Sequence, residues 1–296
     1  MASRTLRVYQ AGSALVRAMP APVARGFAHV AGTAAVAIAG DRREQVERNL
    51  RRVHGPDLDG ARLRREVRDT FVSYAEYYVE SFRLPGTSAE VLDAGFAYEG
   101  WADVLAAREA AGDKGVIVAL PHLGPWEWAG FWAASVLGEK VTVVVEKLEP
   151  DDLYQWFREL RESFGLNVVA LGPDVGPQVL AALHDNQVLV LLSDRDLAGN
   201  GVEVEFFGER TTLPAGPATL ALRTGAPLFP SAIYKEGDGR VGVFRPALDT
   251  TRHGKLREDV ARVTQDLARE LEALIRRAPD QWHLLQPNWP SDRAPA

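Results

Sequence analysis

One histidine and one glutamate stand close together in the segment ALPHLGPWEWAG, with four residues between His122 and Glu127. Glu127 follows about one and a third helical turns later, so its carboxylate can turn back and accept a hydrogen bond from one imidazole nitrogen. The other nitrogen is then left as a general base. Such a base can take the proton of an alcohol while its oxygen attacks an activated acyl carbon, without a nucleophilic Ser or Cys. The competing interpretation is a His that caps a helix beside a solvated Glu.

Further charged residues follow other apolar runs of the chain. Asp194 and Arg195 follow VLVLL after a single serine, and Glu146 ends VTVVVE. Open α/β sheets place their sites at the carboxyl ends of the strands, so we expect these residues on the same edge as His122. The turn at 199–201 offers backbone N–H groups to phosphate oxygens, although a plain charged loop with a tight turn is an equal alternative.

Several other motifs have a structural interpretation at least as good as a functional one. Arg158 and Arg161 lie on the predicted helix DLYQWFRELRESFG, where surface pairing is the usual role of arginines. The pattern G-x-G-x-x-G at 237–242 lies between two predicted strands and opens no helix, so it predicts a hairpin turn. His184 and His283 are interpreted as structural. The aromatic residues at 71–82 are assigned to the core, with a lipid groove as the alternative.

Composition limits the class of protein. The chain has 296 residues, of which 46% are hydrophobic and 25% charged, as in an ordinary globular domain. The absence of cysteine excludes disulfides and Cys-ligated metal sites, and the six His lack the close spacing of a metal site. We therefore expect neither a metal nor a bound cofactor.

The elements that must position these residues follow from hydrophobic periodicity. Short apolar runs at 115–120, 141–146, 167–171 and 188–192 alternate with helical stretches at 126–137, 151–164 and 175–185. Strands that are apolar on both faces and alternate with helices indicate a mostly parallel sheet. Further strands are predicted at 202–207, 226–234 and 241–247, and a last helix at about 255–277. The predicted fold class is α/β, with a mostly parallel or mixed central sheet flanked by helices over residues 86–296.

The amino-terminal part differs in charge and pattern. Residues 5–82 have helical periodicity, and residues 1–52 hold nine Arg against three acidic residues, a local net charge of +6 in a chain of net charge −6. A basic, apolar segment on an acidic body favours an anionic membrane surface over nucleic acid, with solvated helical arginines as the plainer alternative. No apolar run reaches the length of a spanning helix. We expect residues 1–85 to be a helical membrane-associating segment packed on the core, and the protein to lie peripherally on the cytoplasmic face of the cell membrane.

Three blocks of sequence together resemble a known family. HLGPWE, SDRDL and FFGERTTLPAGPATLALRTGAPLFP are similar to blocks of the lipid A biosynthesis acyltransferase family, within the wider glycerolipid acyltransferase superfamily. VRAMP, SYAEYYVESFRLP, LYQWFRELRESFG and DQWHLLQPNW resemble its actinobacterial branch, the phosphatidylinositol mannoside acyltransferases. The resemblance extends from about residue 13 to residue 290.

The resemblance implies roles for individual residues. It makes His122 the general base, oriented by Glu127, in a direct transfer from a thioester without metal or acyl-enzyme. The remaining implied substrate and acyl-CoA contacts are Glu146, Arg161, Asp194, Arg195, the loop residues Asn200, Gly201, Val202 and Glu203, and Arg223.

The expected function is therefore transfer of a long, palmitoyl-like acyl group from acyl-CoA to a mannose hydroxyl of phosphatidylinositol mannoside. Its partners would be acyl-CoA, the glycolipid acceptor and the anionic inner surface of the membrane. The alternatives are O-acyl transfer to lipid A-type glycolipids, other glycolipids or lysophospholipids, and a catalytically silent relative that binds lipid.

Overall fold

The computed structural model describes residues 3–112 and 114–293. The amino-terminal segment predicted to be helical forms four long helices. Further helices alternate with strands after it. The helices are α1 (Arg4–Ala18), α2 (Ala21–Ile38), α3 (Asp41–His54), α4 (Gly60–Arg83), α5 (Ala89–Ala94), α6 (Trp101–Ala110), α7 (Trp126–Ser135), α8 (Asp151–Glu162), α9 (Val175–His184), α10 (Gly216–Thr224) and α11 (Leu256–Arg277). The strands are β1 (Phe96–Glu99), β2 (Val116–Leu120), β3 (Val141–Val145), β4 (Leu166–Ala170), β5 (Val188–Leu192), β6 (Val202–Phe206), β7 (Glu209–Leu213), β8 (Leu228–Glu236) and β9 (Gly239–Phe244).

A seven-stranded sheet forms the centre, in the order β1-β9-β8-β2-β5-β3-β4. Strands β8, β2, β5, β3 and β4 are mutually parallel, whereas β9 is antiparallel to β8 and β1 is parallel to β9. The predicted α/β fold class is therefore confirmed. The strand predicted at 202–207 is β6, which pairs with β7 in a separate antiparallel ribbon.

The central position of β2 explains why its sequence is an unbroken apolar run. All five of its residues are buried because helices cover both faces of the sheet. Ile117 and Ala119 pack with α9, α10 and α11, whereas Val116, Val118 and Leu120 pack with α7. The chain leaves β2 at the carboxyl edge of the parallel strands and returns through α7 across one face.

The turn between β8 and β9 lies within the glycine pattern at 237–242. Strand β8 ends at Glu236, β9 begins at Gly239, and Gly237 has a φ of 59°. This left-handed backbone conformation suits glycine and a two-residue hairpin. The predicted hairpin turn is confirmed.

The amino-terminal helices pack on one another and on the core. A Cβ on Gly32 in α2 would lie 2.5 Å from Cα of Val72, so the contact between α2 and α4 requires glycine there. Ser3 donates through its backbone and hydroxyl to the carboxylate of Asp152 in α8, at 2.6 and 2.9 Å. The division of the chain at residue 85 stays a prediction.

Helix α2 is, among the described helices, the one long and apolar enough to cross a membrane by length and composition. Its mean hydropathy is 1.2, and 17% of its residues are buried. Signal sequences near an amino terminus meet the same criterion, so it is weak evidence by itself.

Candidate active site

His122 lies in the loop between β2 and α7, two residues after the last residue of β2. The residues that follow His122 fix the position of this loop. A Cβ on Gly124 would lie 2.0 Å from the carbonyl oxygen of Ile233, and the Gly124 N–H donates to the carbonyl oxygen of Gln281 at 2.9 Å. The sequence HLGPWE thus needs its glycine for close approach to β8. The imidazole itself is about one third exposed, at 31% of its side-chain surface.

The carboxylate that contacts the ring belongs to Asp194, which follows β5 at the same edge of the sheet. Oδ1 of Asp194 lies 2.6 Å from Nδ1 of His122, and the His122 backbone N–H donates to Oδ2 at 3.1 Å. The indole N–H of Trp282 donates to Oδ2 at 2.8 Å. Asp194 is completely buried, and its backbone carbonyl accepts a 3.0 Å hydrogen bond from Asn288.

These contacts hold the Asp194 carboxylate in its charged form. Burial by itself raises the pKa of Asp194, but the nearby His122 and the hydrogen bonds from His122 and Trp282 outweigh it and hold the pKa below its usual value. An ionised carboxylate can only accept, so Nδ1 of His122 must carry the proton that it donates. In the neutral imidazole, this tautomer leaves Nε2 without a proton, and Nε2 can then act as a base.

Glu127 does not make the expected hydrogen bond to His122. Its Oε1 accepts from Nε and Nη2 of Arg161 at 3.0 and 2.5 Å, and its side chain is 3% exposed. The reason is that the first turn of α7 points the Glu127 side chain towards α8. A buried carboxylate needs a partner charge, and Arg161 supplies it. The orientation of His122 by Glu127 is therefore corrected to orientation by Asp194.

Arg161 is correspondingly not a free surface arginine. Its guanidinium carbon lies 5.4 Å from the centre of the Trp126 ring and 5.5 Å from that of Phe157. Burial alone lowers its pKa, but Glu127 reverses this effect and raises the pKa above its ordinary value. Arg158, by contrast, pairs with Glu162 at the surface, as expected of a helix arginine.

Glu146 and Arg195 lie at the carboxyl edge with His122, as predicted. Arg195 donates to Glu146 at 3.0 Å, and the side chains are 13% and 49% exposed, respectively. The pair follows β3 and β5, which are neighbours in the sheet. Both residues therefore lie at the edge of the sheet that was predicted from the carboxyl ends of the strands.

The loop expected to contact phosphate uses its N–H groups internally. The N–H groups of Gly199 and Gly201 donate to the carboxylate of Asp196 at 2.9 and 2.8 Å. Thr212 of β7 donates to the same carboxylate at 2.9 Å. These two N–H donors are therefore already used within the loop. The expected contact of the loop with phosphate stays a prediction. Asn200 and Glu203 are exposed, and Val202 begins β6.

Arg223 lies away from this edge. It is exposed in the last turn of α10, immediately before the amino end of β8. Since β8 is parallel to β2, this position is at the edge of the sheet opposite to His122. The expected contact of Arg223 with the donor at the His122 edge is not supported by its place in the fold.

Sequence reasoning assigned no site role to the carboxyl-terminal residues that surround the pair. The backbone N–H of His283 donates to the carbonyl oxygen of His122 at 2.7 Å, and Ser73 lies 2.9 Å from Nε2 of His283. The imidazole of His283 is buried between Tyr74 and Tyr77, so its predicted structural role fits its surroundings. The block DQWHLLQPNW is the part of the sequence that could have pointed to these residues. Nothing in the block itself shows which residues it contacts in the fold.

An apolar cavity lies between α7 and the sheet. Its lining includes Leu120, two residues before His122, and Trp126, and all of its lining side chains are apolar. The lining residues are Phe96, Trp101, Val118, Leu120, Trp126, Ala129, Gly130, Trp132, Ala133, Val141, Val143, Leu166, Val188, Val190, Ile233 and Phe244.

A histidine hydrogen-bonded to a buried carboxylate thus lies at the strand ends of an α/β sheet and beside an apolar cavity, an arrangement typical of enzymes that act on substrates with hydrocarbon chains. The profile of the family described as bacterial lipid A biosynthesis acyltransferase matches residues 4–291. The chain belongs to this family and is an O-acyltransferase, which confirms the resemblance seen in the sequence.

Two relatives cover nearly the whole chain. A phosphatidylinositol mannoside acyltransferase of Mycolicibacterium smegmatis is 42% identical over 292 residues, which are 96% of this chain and 91% of the relative. A phosphatidylinositol mannoside acyltransferase of Mycobacterium tuberculosis is 41% identical over 298 residues, with 96% and 88% covered.

Proposed function

We propose that this enzyme transfers a long-chain acyl group from acyl-CoA to a mannose hydroxyl of phosphatidylinositol mannoside. The names of its relatives support the acceptor, and the apolar lining of the cavity supports an acyl chain as the transferred group. The 2.6 Å contact between His122 and Asp194 carries the mechanism, because it leaves one ring nitrogen as a base at an accessible edge.

The reaction proceeds by direct attack. The acceptor hydroxyl donates its proton to Nε2 of His122 as its oxygen bonds to the thioester carbonyl carbon. Asp194 stabilises the imidazolium that forms, and its two further donors keep it ionised. The carbon–sulfur bond then breaks, and the imidazolium returns its proton to the leaving thiolate. The products are the ester and the free thiol, and His122 is again neutral.

The acyl chain lies in the cavity under α7. The cavity begins beside Leu120 and Trp126, so a chain inserted there has its carbonyl group near the loop of His122. Each methylene that leaves water contributes about 0.8 kcal/mol. Burial of the acyl chain in the cavity therefore places the thioester. The groups that react with the thioester do not hold it in place by themselves.

Glu127 has a supporting role in this proposal. Its ion pair with Arg161 ties the first turn of α7 to α8, next to Trp126 at the entrance of the cavity. The pair thus fixes the wall against which the acyl chain enters. Glu146 and Arg195 lie at the open edge, where they can bind acceptor hydroxyls.

Helices α1 and α2 are the proposed membrane-binding surface. Both leave large apolar side chains exposed, and the opposite face of α2 is buried on the protein through Ala24, Ala28 and Gly32. A helix held along one side by protein fits a position along the lipid surface. The exposed apolar residues are Val8, Leu15, Val23, Phe27, Val30 and Ile38. The proposed location is peripheral, on the cytoplasmic face.

The experiment is transfer from palmitoyl-CoA to phosphatidylinositol mannoside in vesicles, with free thiol and acylated lipid measured together. We expect His122→Ala to lower kcat by roughly a thousandfold or more, since the base is lost. Cooperative unfolding should be retained. His253→Ala, at an exposed histidine remote from the site, is the matched control and should keep full activity.

Two outcomes would count against the proposal. If the wild-type enzyme instead acylates a lysophospholipid or a lipid A precursor, the acceptor is wrong and the chemistry stands. If it binds these lipids and releases no thiol with any acceptor, it is a silent lipid-binding relative.

A further inference from the structure

Gly130 lies in the interior of α7, where a glycine weakens a helix relative to alanine. Its backbone does not require glycine, because its φ is not in the left-handed region. Crowding does not require it either. A Cβ at this position would meet only the two methyl carbons of Leu166, at 3.6 and 3.7 Å, which is ordinary contact. The missing side chain therefore leaves space in the cavity that any larger residue would occupy.

The cavity has a near end and a far end relative to His122. Leu120 and Trp126 mark the near end, at the carboxyl edge of the sheet. Val141, Leu166 and Val188 also line the cavity, and they are the first residues of β3, β4 and β5. Val141 pairs with both Leu166 and Val188, so the three form one row across the amino ends of these strands.

Helix α7 connects the two ends. It begins at Trp126 beside the entrance and passes back over the sheet, so that Gly130 faces Leu166 in the far row. A chain that enters beside His122 reaches Gly130 only with its distal carbons.

We propose that Gly130 determines the acyl chain length of this enzyme, because its lack of a side chain above Leu166 leaves the room that the last carbons of a long chain occupy. The inference rests on the proposed function, since it takes the cavity to hold the transferred acyl chain. It concerns the length of the chain and not the reaction itself.

The test compares acyl-CoA donors of increasing length, from octanoyl through lauroyl and myristoyl to palmitoyl, in the wild-type enzyme, Gly130→Ala and Gly130→Leu. We expect Gly130→Leu to keep activity with the shorter donors and to lose roughly tenfold or more in kcat/KM with palmitoyl-CoA, as excluded methylenes generally do. Gly130→Ala should shift the ratio of long-chain to short-chain kcat/KM in the same direction by less. Ser135→Leu, at an exposed position of the same helix, should leave the ratio unchanged.

The outcomes separate the two proposals. Absence of transfer from every donor in the wild-type enzyme would contradict the proposed function. Transfer by the wild type, with the same ratio in Gly130→Ala and equal losses for all donors in Gly130→Leu, would overturn the role of Gly130 and leave the proposed function intact. If Gly130→Leu does not fold, an unchanged ratio in Gly130→Ala overturns that role by itself.

Discussion

The indole nitrogen of Trp282 donates to Oδ2 of Asp194 at 2.8 Å, while Oδ1 of the same carboxylate lies 2.6 Å from the His122 ring. The backbone N–H of His122 also donates to Oδ2, at 3.1 Å. A fully buried carboxylate keeps its charge only when its oxygens accept such hydrogen bonds. Trp282, 88 residues away in the sequence, is therefore part of what keeps the proposed base oriented.

Replacing Trp282 by Phe should slow the reaction while keeping the ring in the core. A hydrogen bond to a charged group contributes about 1.5 to 3 kcal/mol, so kcat/KM should fall about tenfold to a hundredfold. The pKa of Asp194 should rise towards its usual value, and activity should be lost at a higher pH on the acid side than in the wild type. The measurement is the pH profile of kcat/KM.

Trp289→Phe is the matched control. Its indole also donates one buried hydrogen bond, but to the carbonyl oxygen of Phe206 at 3.1 Å and not to Asp194. It should lower the free energy of unfolding without moving the pH profile. Equal shifts of the profile in both variants would mean that Trp282 acts only through stability.

Asp194→Asn and Glu127→Gln should have different consequences, although both replace a buried carboxylate by an amide. Asp194→Asn removes the charge opposite the imidazolium, and kcat should fall by roughly a thousandfold. Glu127→Gln leaves Arg161 buried without its counter-charge, and the free energy of unfolding should fall by about 3 to 5 kcal/mol. Rates per folded molecule, measured together with denaturant unfolding, separate the two effects. A larger loss of rate in Glu127→Gln would restore Glu127 as the residue that orients His122.

The strands of the core were accessible from the sequence because both faces of the sheet are covered. Runs such as VIVAL in β2 are apolar throughout, and β2 to β5 were predicted within one residue of their observed ends. Strand β1 was missed because FAYE has only four residues and three of them are exposed, and β7 was missed because four of the five residues of ERTTL are polar. Such segments become strands through the neighbours with which they pair, and local pattern does not contain that information.

The carboxylate that contacts His122 is the feature of the site that the sequence did not predict. The sequence placed Asp194 and Glu146 at the edge with His122, because all follow parallel strands. It favoured Glu127 as the orienting residue because Glu127 is only five positions away. Which carboxylate reaches the ring depends on side-chain direction in the first turn of α7 and on Arg161 in α8, and neither can be derived from spacing.

The proposed membrane surface can be tested without disturbing the fold. Removal of residues 1–25 would also remove Leu6 and Val16, which are buried, so point substitutions are sharper. Val23, Val30 and Ile38 are 54, 68 and 88% exposed on α2. Replacing all three by Asn should weaken binding to anionic vesicles by about a hundredfold or more, since each buried apolar side chain contributes about 1.5 to 3 kcal/mol. Sedimentation with vesicles measures this.

Leu105→Asn is the control, at an exposed leucine of α6. It should bind vesicles as the wild type does. If the triple variant also binds normally, the membrane surface lies elsewhere on the protein.

His283 should make stability depend on pH. Burial, and then the neighbouring His122, lower the pKa of His283 from 6.5 to about 3. The folded state therefore keeps this ring neutral, while the unfolded chain binds a proton below pH 6.5. The contribution of His283 to stability is complete above pH 6.5 and is lost as the pH falls towards about 3, by about 1.4 kcal/mol per pH unit.

His283→Phe tests this dependence, because it keeps an aromatic ring between Tyr74 and Tyr77 and retains the backbone N–H that donates to His122. Urea unfolding between pH 6.5 and about 5, where ordinary carboxylates stay ionised, should show a smaller loss of stability in the variant than in the wild type. His253→Gln, at an exposed histidine, should keep the wild-type slope. Equal slopes in His283→Phe and the wild type would show that the folded protein takes up a proton at His283 as readily as the unfolded chain does.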